Sequence, residues 1–451
     1  MVTKIIPVNS KYVEDQMRDY AIYVIEDRAL PHASDGLKAA TRRVLWTASD
    51  GKKYKSLTLA GATAPLHPHG QPDSAINTLA AYYGNNVPLL KGDGSFGTLL
   101  IPNAYGASRY TSVTISKFSK DVLLRDIDII PMVENYDSTL MEPKHFLPLV
   151  PLLLVNPQEG VAVGFASTIF SRNPEHIIKQ QIEYLQGKIP TKQLVPTFLP
   201  QNQIAVDSET KNNTIKWIFK GEIEILNTTE VIVKNLPYGL VHEDFISRII
   251  QMIDDDKLVK YVDDSVDYYK IKLTFKRGSI KEIGEDNLLQ YLGLVKSVSE
   301  NFTILDFSGV KVWKTDTIEY IQKFTDWRLG WYVNRFERLK NIALFDLQKY
   351  KDIIRAIDKN LGGLSKKLRD KQELREFCEE VGIVNVEYIA DLPIYRFTEE
   401  EKEKVQEKIK EVNLDIAKYN KLLSSENDRR DIYVNELIEI RNNIKKGLYD
   451  K

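Results

Sequence analysis

The chain has one cysteine, Cys378, among its 451 residues. That excludes an internal disulfide framework and any multi-cysteine zinc site, and it fits a reducing compartment. Long apolar runs are also missing. The longest, LPLVPLLLV at 147–155, is interrupted by Pro151 and falls far short of the ~20 residues that a membrane helix requires. The N-terminal MVTKIIPVNSKYVEDQ lacks the apolar core of a signal peptide. No GxxxxGK(S/T), HExxH or GxSxG occurs, so the signatures of a P-loop, a zincin and a nucleophile elbow are all absent. Neither sign of charge dominates: 62 Lys+Arg stand against 63 Asp+Glu, a formal net charge of −1. These absences point to a soluble, cytoplasmic protein with no membrane partner.

What is present is globular. Hydrophobic residues make up 43% and charged residues 28%, and the length suits about three domains. Neutrality overall does not exclude nucleic acid, because the basic footprint is local. From Arg28 to Asp128 there are twelve Lys/Arg and seven Asp/Glu, a surplus of five positive charges.

Three textures divide the chain. Up to about residue 150, short helical patterns alternate with glycine-rich loops. Helices are expected at 36–48 and at 72–83, the second opened by Pro72 and Asp73. Short helices followed by extended segments suit a winged-helix module. From about 150 to 315 the pattern is mixed α/β. Strands are expected at 214–219, 222–226, 230–236 and 268–275, with an amphipathic helix at 242–253. The remainder is helical. Val405, Ile409, Val412, Ile416, Tyr419 and Leu423 alternate in steps of four and three, and the phase runs on through Glu426 and Arg430 to Tyr433, Leu437, Ile440 and Ile444. That seven-residue repeat predicts a coiled-coil-like arm. At ~1.5 Å per residue, ~40 residues reach roughly 60 Å. Gly362, Gly363 and Pro393 place a small compact knot at about 361–397, between an outgoing and a returning arm. Such a pair of arms suits a dimeriser, and a helical bundle within one chain fits the periodicity equally well.

The motifs with chemistry lie in the first region. Gly92, Gly94 and Gly97 in GDGSFG match GxGxxG. A dinucleotide site needs a helix opening at the third glycine, and Pro102 and Gly106 follow too soon for one. The acidic run Asp254–Asp255–Asp256 reads as a solvated helix end, and no metal site is assigned. In HPHG, His67 and His69 flank a stiffening proline, useful where a proton or a phosphate is handled near neutral pH. Arg28, Lys38, Arg42 and Arg43 cluster as a phosphate-gripping set does, and a solvated helix face fits them equally well. Arg109–Tyr110, in GASRYTS, sets a tyrosine beside a permanent cation.

Together DRALPHASDGLKAATRRVLW, APLHPHG, GDGSFG, ASRYTS and LLLVNPQEGVAVGFAST occur in the order seen in the breakage–reunion (A-type) subunit of type IIA DNA topoisomerases. The chain resembles that family from about residue 20 to its end, including FTEEEKEKV, and most resembles the medium subunit of phage topoisomerases. The resemblance implies an α+β multidomain fold. It expects an N-terminal arm over 1–27, a winged-helix cleavage domain over 28–149 and a tower domain over 150–315. A long antiparallel coiled coil with a small dimerisation tip follows over 316–451. It implies that Tyr110 attacks a DNA phosphate, assisted by Arg109, with Arg28, His67 and His69 around the scissile phosphate. Lys38, Arg42 and Arg43 match DNA-contacting positions. Ser74 matches a position facing the cleaved DNA, and Val161 the apolar wedge that bends the duplex.

The implied partners are double-stranded DNA, a second copy of the chain through the arms, and an ATPase/Toprim (B-type) subunit that carries both Mg²⁺ and ATP. No acidic motif for the metal, and no basic tail after the coiled coil, is seen. Relaxation and decatenation are therefore expected rather than negative supercoiling. Four features depart from the family's pattern: Thr41 for a histidine, one added residue at Gln71–Pro72, Thr111 for an acidic residue, and Val161 for isoleucine. A non-catalytic winged-helix DNA-binding protein with a coiled-coil dimeriser explains the basic region and the arms. It gives no reason for HPHG and Arg-Tyr together.

Overall fold

A computed structural model describes residues 10–68, 72–162, 164–211, 214–364 and 370–449. The chain forms two compact units, Met1–Asp326 with Glu436–Lys451, and Trp327–Asn435.

In the first unit, the helix Ser10–Tyr23 runs into a π-helical turn, Val24–Ala29, that carries Arg28. Ala39–Thr47 is helical, three residues shorter at its start than the sequence pattern predicts. Gly36 explains the difference. It turns the chain at φ +66°, where a Cβ would meet the Leu153 backbone at 2.4 Å, and Lys38 is still extended. The helix Pro72–Ala80 likewise stops short of residue 83. The Asn85 side chain donates to the carbonyls of Thr78 and Ala81, satisfying acceptors at that helix end. Three short strands, Tyr54–Lys55, Ser112–Ile115 and Leu90–Asp93, pair antiparallel in that order, with Val113 opposite both Tyr54 and Gly92.

GDGSFG forms no helix. Gly92 lies in a strand under the Phe96 ring, and Gly97 turns at φ +85° against the Pro102 carbonyl. The apolar run 147–155 is buried throughout, so it is core. Among the described residues no helix is long and apolar enough to cross a membrane.

The middle of the chain builds two larger sheets among several two-stranded ones. One orders Asp207–Lys211, Thr214–Lys220 and Val295–Glu300; the other orders Glu222–Ile225, Glu230–Asn235, Ile271–Thr274 and Lys260–Asp263. The helix His242–Asp254 buries Phe245, Ile249 and Met252 in the core beneath the second sheet. At the edge of the first, Arg172 is fully buried and forks onto Glu300 at 2.5 and 2.6 Å. Glu300 also accepts from the Trp217 indole at 2.8 Å. A hairpin, Gln158–Ala162 with Phe165–Ile169, projects from this unit.

In the second unit, the outgoing helix continues to Asp358 and the returning helix spans Glu399–Ser424. Tyr332 packs on Tyr433 with ring centroids 5.1 Å apart, and Phe336 on Tyr419 at 6.4 Å. Between the two helices, Lys371–Glu380 and Val386–Ala390 close around buried Cys378, Ile383 and Ile389. The returning arm is not the continuous helix expected from the four–three phase. The helix breaks at Ser425, which is extended (φ −119°, ψ 111°), and restarts as Glu426–Lys445. The Ser425 hydroxyl accepts from the Asp428 amide, and Arg429 donates to the Leu422 and Leu423 carbonyls. These contacts satisfy both exposed helix ends. Leu422 is buried where the repeat nominates Leu423.

Candidate active site

Tyr110 ends a tight turn that leads directly into the strand Ser112–Ile115. The Tyr110 amide donates to the Ala107 carbonyl at 2.8 Å. The turn is pinned from the next helix, because Leu57 donates to the Ser108 carbonyl and Ser56 to the Thr111 carbonyl, at 3.1 and 3.0 Å. Thr111 is buried, and its hydroxyl donates to Ser56 Oγ at 2.7 Å. Its methyl lies so close to Gly94 and Gly106 that a Cβ on either glycine would stand 3.3–3.4 Å away. An ionised carboxylate in that pocket would be desolvated. The departure at Thr111 is therefore an anchor for the turn. The Tyr110 side chain itself is 69% exposed, and the Arg109 guanidinium carbon sits 4.7 Å from its ring centroid. A fixed backbone thus presents a bare phenol under a cation.

A second group of the expected residues gathers around the π-turn. The guanidinium of exposed Arg28 lies 5.5 Å from the Tyr23 ring centroid. His67 Nε2 is 3.2 Å from the Tyr23 hydroxyl and 3.7 Å from Asp27 Oδ2. Arg28, Lys38, Thr41 and Ser74 line one groove of about 930 Å³. Arg28 and His67 also line an adjoining hollow of about 530 Å³ with Tyr20 and Tyr136. Neither Arg109 nor Tyr110 lines either one. His69 lies outside the described residues.

Arg42 and Arg43 are arranged differently from the open phosphate forks that the sequence leads one to expect. Arg42 is buried and bidentate to fully buried Asp35, at 2.7 and 2.9 Å. Burial alone pushes the Asp35 carboxyl up, but the charge and hydrogen bonds of Arg42 prevail and hold it below the ordinary range. Arg43 is bidentate to Glu142, at 2.6 and 2.9 Å, and bonds Asp27 at 2.9 Å. Lys38 donates to the Glu159 carbonyl, and its burial lowers its pKa. Val161, at the end of the projecting hairpin, is 82% exposed.

Sequence reasoning missed Tyr23, Asp27 and Glu142. Asp27 stands beside Arg28 and could have been weighed. Glu142 lies 99 residues from the arginine it neutralises, and no local signal links them.

The exposed tyrosine under its arginine thus shares a unit with a separate groove lined by Arg28 and Lys38 and by Asp27 and Glu159. The family is shown by sequence: a profile of the DNA gyrase/topoisomerase IV A subunit matches residues 28–438, and the chain belongs to that family of type II topoisomerase subunits. Among its relatives, the DNA topoisomerase medium subunit of Enterobacteria phage T4 is 25% identical over 421 residues, covering 88% of this chain and 92% of that one. The DNA topoisomerase 4 A subunit of Borreliella burgdorferi is 26% identical, covering 92% and 67%. The chloroplastic/mitochondrial DNA gyrase A subunit of Nicotiana benthamiana is 27% identical over 96% of this chain, which spans half of that relative's length. In fold, the chain is similar to the DNA-binding, cleavage and re-ligation domain of Plasmodium falciparum topoisomerase II. The TM-score is 0.84 at 20% identity, covering 98% of this chain and 66% of that one.

Proposed function

We propose that this chain is the DNA cleavage and religation subunit of an ATP-dependent type II topoisomerase, with Tyr110 as its nucleophile. The observation that carries the reading is the pinned, exposed Tyr110 phenol with the Arg109 guanidinium over its ring. The Tyr110 oxygen attacks a backbone phosphorus, forming a 5′-phosphotyrosyl bond. The P–O bond to the 3′ sugar oxygen breaks, and that oxygen leaves as a hydroxyl. The proton given up by the phenol balances the one gained by the sugar. Reversal reseals the strand without a ligase, because one phosphodiester replaces another. Arg109 stays protonated and steadies charge on the phosphoryl oxygens as it builds.

Arg28, His67 and His69 are assigned to the scissile phosphate, and Lys38 and Ser74 to the flanking DNA. Arg42 and Arg43 are assigned to shaping that surface from within and to reaching DNA only if their carboxylates are displaced. Val161 is the wedge. Residues 28–149 are read as the winged-helix cleavage domain, 150–315 as the tower and 316–451 as the coiled coil with its tip, through which two copies pair. Among the described residues no group of three or more His, Cys, Asp or Glu is placed to hold a metal ion. Mg²⁺ and ATP are assigned to a B-type partner subunit.

The test mixes the purified chain with its partner subunit, Mg²⁺ and supercoiled plasmid, then denatures and scores protein bound to 5′ DNA ends. Tyr110→Phe abolishes the adduct while DNA binding persists. An adduct that survives in Tyr110→Phe removes Tyr110 as nucleophile.

A further inference from the structure

Among the described residues, the hairpin Gln158–Ala162 with Phe165–Ile169 carries two exposed large apolar side chains at its free end, and the wedge assignment uses only Val161. Val161 pairs with Ala166 and Ala162 with Phe165. Side chains alternate along a strand, so Val161 and Phe165 emerge on opposite faces of the ribbon. Val161 is 82% exposed and Phe165 40%.

The root of this hairpin is gripped on both strands. A Cβ at Gly160 would stand 1.9 Å from the Ala29 carbonyl oxygen, so the strand lies directly on the turn that carries Arg28. On the other strand, Thr168 and Asn301 exchange backbone hydrogen bonds at 2.9 and 3.0 Å. Asn301 Nδ2 donates to the Ala166 carbonyl at 2.5 Å, and the Phe170 amide donates to Glu300, the carboxylate held by Arg172. A stiff root with a bare apolar end therefore rises beside the groove lined by Arg28, Lys38 and Ser74, and the foot of the hairpin, Gln158 and Glu159, lines that same groove. Arg28 and Lys38 on that groove suit a duplex backbone, and the apolar end suits the interior of the duplex.

We propose that Phe165 is a second wedging side chain, so that Val161 and Phe165 face the two base pairs of one opened step. A wedge that parts a base step meets an apolar surface on each side. Phenylalanine can stack on a base, which a valine cannot. This rests on the DNA-cleaving reading above and names how the same surface engages the duplex.

The experiment uses the full chain with its partner subunit, Mg²⁺ and a linear duplex that carries a fluorescent base analogue at a central step and a fluorophore pair at its ends. The wild type unstacks the analogue and brings the ends together. Phe165→Ala lowers the bent-to-straight ratio by about tenfold, the size of a lost base–aromatic stack. Phe165→Trp and Phe165→Tyr restore it. On a duplex already kinked by an abasic gap at that step, Phe165→Ala binds as the wild type does. Bending of the intact duplex by Phe165→Ala at the wild-type level overturns the proposal, and so does an equal loss of affinity for the kinked duplex. Tyr110 adducts are scored on the same preparations. A wild type that bends DNA through Phe165 yet forms no adduct overturns the cleavage reading alone. An adduct with unaltered bending in Phe165→Ala overturns the wedge alone.

Discussion

Two arginine sites in the first unit look alike in the sequence and are opposite in the structure. Arg109 stands next to Tyr110 on a pinned turn, with its guanidinium over an exposed ring. Arg42 and Arg43 lie on a helix amid other basic residues, yet both are buried and held by carboxylates. In the first site the protein fixes the backbone and leaves the charge outward. In the second it turns the charge inward onto Asp35, Asp27 and Glu142, and so fixes the turn from which Arg28 emerges. A run of basic residues is thus an incomplete guide to a phosphate surface until its counter-charges are known.

The sharpest way to break that contrast is to remove the buried charge. Arg42→Ala leaves the fully buried Asp35 carboxylate without its bidentate partner, and losses of about 3–5 kcal/mol are typical of that situation. Chemical denaturation should show it. Adding Asp35→Asn to Arg42→Ala removes the orphaned charge and should recover part of the loss, as coupled sites do. If Arg42→Ala unfolds at the wild-type midpoint and instead weakens DNA binding, the arginine belongs to the surface after all.

At the exposed site the expected outcome reverses. Arg109→Ala should leave the melting temperature unchanged, since the side chain is solvated and its turn is held by Leu57, Ser56 and Thr111. The rate of adduct formation should fall by about 10²–10³-fold, the cost of losing one preorganised group that stabilises transition-state charge. Arg109→Lys separates charge from shape: a point charge should recover less than the planar fork. A melting temperature lowered as far as in Arg42→Ala would show that the two sites share one structural role.

How much of this was legible in advance depended on range. The helix His242–Asp254 is readable because its apolar residues share one face, and Thr214–Lys220 because β-branched and aromatic residues dominate it. The partner of Thr214–Lys220 was not readable. Trp217 pairs with Val298 across 81 residues, and nothing near either residue announces it. The break at Ser425 was hidden for another reason. The apolar phase passes straight through it, and only the capping contacts of Arg429 and the Ser425 hydroxyl end the helix. In the site, the motif order pointed to Tyr110 and Val161, and both are exposed. The same order nominated Arg42 and Arg43 for the surface, because a motif carries side-chain identity and omits the carboxylates folded against it.

The smallest expected effect concerns the acid side of that buried cluster. His32 is buried beneath the Gly309 turn and stacks on His145, with ring centroids 5.4 Å apart. Its Nδ1 accepts the Ser34 amide at 3.1 Å, so the neutral ring is the form the site is built for. Burial pushes its pKa down from 6.5 to about 3; Asp35 opposes the shift, while Arg42, His145 and Lys144 reinforce it. A depressed folded pKa means that the unfolded chain takes up the proton first. Stability from this group is therefore complete above about pH 6.5, declines as pH falls toward 3, and declines no further below that. By pH 5.5 the loss should be about 1 kcal/mol. His32→Asn keeps an acceptor for the Ser34 amide and removes the titrating ring, so its unfolding midpoint should change less between pH 7 and about 5.5 than that of the wild type. Equal slopes would place the acid sensitivity elsewhere, with His145, whose pKa burial also lowers, as the next residue to replace.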